Sequence, residues 1–486
     1  MSQLSADCLN EIFEYLEEDR VALHSCLLVN RLWCEISVRI LWRNVWNFKY
    51  TVPMRFRMDV PAQILNTLIT CLPNESKDLL NKNGIIIATT AWKPSLFNYA
   101  SYCKFLSIRE IYLMIRYALE TRQLITSHCL DFDEYLLLQE MLKMFMRQIS
   151  SLKSLDYYVG ISRIIKLPFT SFPGAKDCMT NLSILSCDSN ICSEFFYQLS
   201  QICHNVQTLT IIIENVVSNG LTDLISMQRN LKHVTLIAAY GSEKGWVRLI
   251  TSLSKIPLNL TKLEIFGIDA KIPLICLNTF IHLRQLTLSF DDTNAFIDFH
   301  NLQHVKYPQL RILKFQYAFP KVEMLIKFLE INGKDLTQLY VGCHDNLLNL
   351  TVAKLCPNLK KFCSRFMRNE LETLTTVFNG CQSLESLKLK CGAGNLKESE
   401  MLDVVSKYSP KNFHELKIDN DTESELSPVE LESFFINWMD RTPHQPISFI
   451  LVGDRFISSY RNMEVIENYV RLGVVKKFGT EMYDES

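Results

Sequence analysis

From Leu182 onward the chain repeats one short pattern of apolar and polar positions. It reads LSILSC from Leu182, VQTLTI from Val206, LKHVTL from Leu231, LTKLEI from Leu260 and LRQLTL from Leu283. LRILKF from Leu310, LTQLYV from Leu336, LKKFCS from Leu359, LESLKL from Leu384 and FHELKI from Phe413 continue it. LKSLDY from Leu152 reads as a first member and ISFILV from Ile447 as a weak last one. From Leu152 to Phe413 successive starts lie 23 to 30 residues apart. Alternation with period two turns one side of a short strand inward. Identical strands at this spacing stack in parallel, and each parallel return needs about a dozen residues, usually helical. Helical patterns stand where the returns should be, starting at Ile191, Lys321, Glu370 and Glu398.

Repeats of this length predict an α/β solenoid of the leucine-rich-repeat type, with a curved parallel sheet on the concave face and helices on the convex face. Cys203, Cys356 and Cys381 sit at one offset ahead of their strands, in CHNVQTL, CPNLKKF and CQSLESL, which assigns them to packing. An exposed sheet edge invites aggregation, so both ends need covers. Helices over 108–150 would cover one, the second of them capped by Asp133, and a helix over Tyr460–Phe478 the other.

Ahead of the repeats the period changes to that of helices. Leu9, Ile12, Phe13 and Leu16 share one helical face, with Ser5 placed to cap it. A second short helix follows from Asp19, and a third from Arg31 carries Trp33, Ile36 and Ile40. So few residues bury little surface, yet they hold Phe13, Trp33, Leu41, Trp42 and Trp46. That surplus predicts a partner. The run over 47–63 reads as an exit loop. The expected organisation is a three-helix module at 1–48, a mostly helical linker and cap at 49–150, the array at 151–455, and a terminal helix and tail at 456–486.

Composition narrows the reading. Among 486 residues, 48% are hydrophobic and 21% charged, which is globular rather than disordered composition. A net charge of -1 supplies no global basic field for nucleic acid. No run of eighteen apolar residues predicts a membrane span, and the acidic N-terminal stretch does not read as a signal peptide. The sixteen cysteines include no C-x-x-C pair, so no metal site is expected and the thiols are expected to be reduced. The expected location is cytoplasmic or nuclear.

The stretch LSADCLNEIFEYLEEDRVALHSCLLVNRLWCEISVRILWRNVW resembles an F-box. It matches that family's pattern at Leu4, Asp7, Leu9, Ile12, Phe13, Leu16, Leu23, Val29, Arg31, Trp33, Leu41 and Trp42. It departs at Ser5, where the family usually has proline, and at Asp7, where it has glutamate. With the cysteine-containing repeats behind it, the chain is similar to F-box proteins with leucine-rich repeats. The resemblance implies a Skp-family adaptor as partner and, through it, a cullin. Leu4, Leu9, Ile12, Phe13, Leu16, Leu27, Trp33, Leu41 and Trp42 would supply the contacts and the core behind them. It also implies a non-catalytic subunit of a ubiquitin ligase that holds a protein substrate. The alternative is a leucine-rich interaction scaffold that degrades nothing.

Within each strand, residues between the apolar anchors face the concave side. The late repeats place Tyr340, Lys361, Arg365, Lys388, Lys390 and Lys417 there, diluted by Glu415 and Asp419. Adjacent like charges cost stability, so this stripe is the candidate substrate surface, suited to an acidic or phosphorylated peptide. No phosphate-binding glycine loop, dinucleotide fingerprint or zinc-protease motif occurs, and no cofactor is expected.

Overall fold

The computed structural model describes residues 4–46, 59–85, 95–121, 130–158, 167–214, 216–239, 241–254, 259–267, 273–392, 394–420, 422, 424–442, 445–452 and 460–481. Of the exit loop expected over 47–63, residues 47–58 lie outside them, as does the boundary expected at 455–456, while 59–63 are not loop but the start of a helix, Asp59–Thr70. The chain forms two compact units, Met1–His233 and Val234–Ser486.

The first unit opens with three helices: α1 (Ala6–Glu14), α2 (Arg20–Cys26) and α3 (Arg31–Leu41). Each begins on a side-chain cap. Ser5 accepts from the Cys8 N–H at 3.2 Å, Asp19 from Ala22 at 2.9 Å and Asn30 from Trp33 at 2.9 Å. The caps satisfy donors that the first helical turn leaves open. Leu9, Phe13, Leu23, Cys26, Ile36 and Ile40 form the module's core, with Leu16, Trp33 and Leu41 packed against it.

Behind the module lie helices Asp59–Thr70, Asn74–Lys82, Ile108–Thr121 and Leu130–Gln148. The last begins at Leu130, so Asp133 is buried inside its first turn rather than capping it, and burial raises its carboxyl pKa. Four strands pair in parallel in this unit: β1 (Phe105–Ser107), β2 (Ser154–Tyr157), β3 (Ile184–Asp188) and β4 (Thr208–Ile213). β1 was not expected; it precedes the first recognisable repeat and lies within a stretch that reads as irregular. β5 (His233–Ala238) straddles the boundary between the units.

In the second unit β6 (Lys262–Gly267), β7 (Gln285–Phe290), β8 (Ile312–Tyr317) and β9 (Gln338–His344) are followed by β10 (Lys361–Arg365) and β11 (Ser386–Cys391). β12 (Glu415–Asn420), β13 (Ile447–Val452) and β14 (Val475–Glu481) complete the ladder. Every neighbouring pair from β6 to β14 is parallel and in chain order. This is the α/β, leucine-rich-repeat-like solenoid that the period requires. The helix expected over 460–478 stops at Arg471. Gly473 turns at φ 74°, a conformation favouring glycine, and the remaining residues form β14.

The returns differ in length. Val322–Asn332, Asn346–Leu355, Leu371–Gly380 and Glu398–Tyr408 are α-helices, whereas Leu274–Thr279 and Thr293–Asn301 are tighter 3-10 segments. The Cys203 thiol donates to Leu182 O and the Cys381 thiol to Cys356 O, both at 3.4 Å, so each buried thiol pairs a backbone carbonyl one repeat earlier. Where the cysteine is missing, a buried amide meets the same need. Asn332 donates to Val305 O at 2.9 Å and accepts from Tyr307 N–H at 2.8 Å. Buried backbone groups must be paired, and thiol and amide are two local solutions.

Candidate functional site

The basic residues of the late repeats converge because the strand register aligns them. Along one row Lys314 pairs with Tyr340, Tyr340 with Cys363, Cys363 with Lys388, and Lys388 with Lys417. Lys361 lies in the row below, opposite Gln338 and Ser386. Lys390 lies in the row above, opposite Asp419. All six expected residues, Tyr340, Lys361, Arg365, Lys388, Lys390 and Lys417, line one cavity of about 240 Å³. Its hollow has a structural cause. Cys363, Ser386 and Gly342 are short residues set among long ones.

The surrounding side chains are held in place. Arg365 donates through Nε to Asn395 Oδ1 at 2.8 Å, and Asn395 is buried. The Arg365 carbonyl accepts from the buried Asn349 at 3.0 Å, which also accepts from Ser364 at 2.7 Å. The Lys314 ammonium stands 4.9 Å from the centre of the Tyr340 ring. Glu415 accepts from the Ser386 hydroxyl at 2.6 Å, and Asp419 lies 3.9 Å from Lys390. No carboxylate among the described residues forms an ion pair with Lys361 or Lys388. Burial pushes the Cys363 thiol up to about 11 although Lys388 opposes the shift, so this cysteine is not activated as a nucleophile.

Lys314, Cys363 and Tyr317 also line the cavity, beside the six residues expected. Lys314 and Cys363 occupy outward positions of their repeats and were legible there. Tyr317 was not. It adopts φ 64°, in the left-handed region, and its side chain is largely exposed. That backbone costs a side-chain-bearing residue about 1 kcal/mol or more, and such strain gathers at functional sites.

The second candidate surface belongs to α1–α3. Leu9 and Phe13 are core residues; Phe13 meets Trp33 edge-on at 5.0 Å. Leu16, Leu27, Trp33, Leu41 and Trp42 are half-buried, and Leu4 and Ile12 are exposed. Tyr15, Val21, Leu28, Val29 and Leu32 are exposed too and extend the set beyond the residues expected. Part of the aromatic surplus is used internally. Trp46 is buried, donates to Phe105 O at 2.5 Å and meets Phe145 edge-on, while Trp42 packs on Tyr99 at 4.6 Å. Arg43 grips Glu14 with two hydrogen bonds of 2.5 Å, which holds the Glu14 carboxyl below its ordinary range.

No family model matches the chain. No curated protein matches it. Among solved structures it is similar to the leucine-rich repeat-containing protein LegL7 from Legionella pneumophila, at 15% identity and a TM-score of 0.36, over 59% of this chain and 89% of that one. The solenoid assignment rests on the chain's own ladder of parallel strands and returns. No helix among the described residues is long and apolar enough to cross a membrane.

Proposed function

We propose that the chain is the non-catalytic substrate-recognition subunit of a Skp–cullin–F-box ubiquitin ligase. Its first three helices bind a Skp-family adaptor, which links to a cullin, and the sheet face of its repeats holds a protein substrate. The observation that carries the reading is the exposure of Leu4, Ile12, Tyr15, Leu28, Val29 and Leu32 on a module whose own core is already filled. Apolar side chains left outside a completed core mark an interaction surface. The subunit contributes proximity: it raises the local concentration of substrate beside a conjugating enzyme that supplies the chemistry.

Point substitutions test this better than deletion of the module, because Trp42 and Trp46 also pack behind it. Replacing Leu28→Asp with Leu32→Asp changes exposed residues only. The wild-type chain is expected to capture a purified Skp adaptor and the double variant to lose it by about tenfold or more. Equal capture by both, or none by the wild type, sinks the proposal. Adaptor capture without cullin-dependent ubiquitination of any bound protein favours a scaffold that degrades nothing.

A further inference from the structure

The most exposed large apolar or aromatic side chain among the described residues stands at the end of the first helix. Tyr15 is 90% exposed. Its position follows from helical geometry. α1 turns Leu9 and Phe13 into the module core, and Tyr15, two residues past Phe13, comes about 200° further round, on the opposite side. It is the C-cap residue of α1, at the start of the turn that leads to α2. That turn is closed by local bonds, Glu17 N–H to Glu14 O at 3.2 Å and Asp19 N–H to Leu16 O at 2.8 Å. By contrast the hydroxyls of Tyr112 and Tyr307 are buried, one bonded to Glu134 and the other to the Leu277 carbonyl.

The neighbours of Tyr15 in the chain are acidic and apolar. Glu11 lies one helical turn before it, and Glu17, Glu18 and Asp19 follow it; all four are exposed. Ile12, three residues before it and exposed, shares its face of the helix. The arginines that reach α1, Arg39 and Arg43, are engaged by Asn10 and by Glu14 and Glu17. A phosphate on the Tyr15 hydroxyl brings a charge of about -1.5 to -2. It adds to these carboxylates and to the negative end of the α1 dipole. A partner that covers Ile12 must also desolvate that charge.

We propose that Tyr15 is a phosphorylation site and that its phosphate releases the partner held by α1–α3. The modifying enzyme is a protein tyrosine kinase with a basic substrate groove, complementary to Glu11, Glu17, Glu18 and Asp19. The phenolic oxygen attacks the γ-phosphorus of ATP, the bond to the bridging oxygen breaks, ADP leaves and the phenolic proton passes to the kinase's base. The inference rests on the adaptor-binding reading of these helices and adds its regulation.

The test uses the full-length chain, incubated with a purified tyrosine kinase selective for acidic-flanked sites and Mg-ATP, beside a sample without ATP. Mass spectrometry measures phosphate at each tyrosine, and capture of a purified Skp adaptor is then titrated. Tyr15 is expected to take phosphate ahead of the less exposed Tyr197 and Tyr408. Capture is expected to fall about tenfold or more at full occupancy, and a tyrosine phosphatase is expected to restore it. In Tyr15→Phe, kinase treatment is expected to leave capture at that variant's own untreated level. Absence of phosphate at Tyr15 overturns the proposal, as does unchanged capture at full occupancy. A kinase-dependent loss of the same size in Tyr15→Phe overturns it too. Failure of the untreated chain to capture the adaptor sinks the adaptor reading and this proposal with it. Intact capture that ignores the phosphate sinks this proposal alone.

Discussion

Cys203, Cys356 and Cys381 each close a helix and open a turn into a strand, and all three are fully buried. Burial pushes the Cys203 thiol up to about 11 and the Cys381 thiol up to about 12. Such thiols are poor nucleophiles. All three are expected to resist alkylation at mildly alkaline pH in the native protein and to react on unfolding, which timed mass spectrometry reads. Cys381→Ala is expected to cost about 1 to 2 kcal/mol in urea unfolding, since it removes buried volume and the thiol's hydrogen bond to Cys356 O. The common offset of these cysteines made their packing role legible. The equivalent role of Asn332 was not, because a polar residue at a helix end reads as solvated until its neighbours are known. Glu14 and Arg43 were likewise invisible as a pair, being 29 positions apart. Glu14 titrates lower in the folded than in the unfolded chain. Its contribution is therefore complete above the unfolded carboxylate pKa, about 4.3, and fades as pH falls through the lower folded value. Glu14→Gln is expected to cost about 1 kcal/mol or less at neutral pH, since both partners are partly solvated. That difference should vanish in strong acid, as urea midpoints would show.

At the scale of elements, strand positions followed from the repeat while the ends did not. From β2 to β12, each strand begins two residues into its pattern, because inward alternation is written into the local sequence. β1 and β14 lack the full unit, and pairing with β2 and β13 makes them strands. Helix packing imposes constraints of its own. A methyl group on Gly380 would lie 2.1 Å from the Ala353 carbonyl oxygen, on the neighbouring helix. Gly380→Ala is expected to destabilise by about 1 to 3 kcal/mol, the usual cost of overpacking, despite alanine's better helix propensity. A fall in the thermal midpoint checks it; an increase would mean that the two helices separate readily.

For the molecule as a whole, the two ends carry different chemistry. The opening helices present apolar side chains, and the late repeats present cations around a hollow. A receptor of the proposed kind needs both, one to join the ligase and one to hold the substrate. The far edge of the ladder has a structural duty. All six residues of β13 are buried, and β14 supplies the pairing beside them. Truncation after Leu472 should expose an apolar strand edge, with aggregation detectable by light scattering during refolding. Unchanged solubility would show that β14 is dispensable as an edge cover.

The sequence by itself determined the repeat, its handover from strand to return, the residues facing away from the helices and the three-helix start. All of these depend on spacing along the chain. Only the tertiary structure decided that six outward residues surround one hollow, because that depends on register between strands and on short side chains between long ones. It also separated core from surface in the opening helices. Leu9 and Phe13 are buried and Ile12 exposed, though all three carry the same apolar signal, because burial depends on which neighbour covers a face.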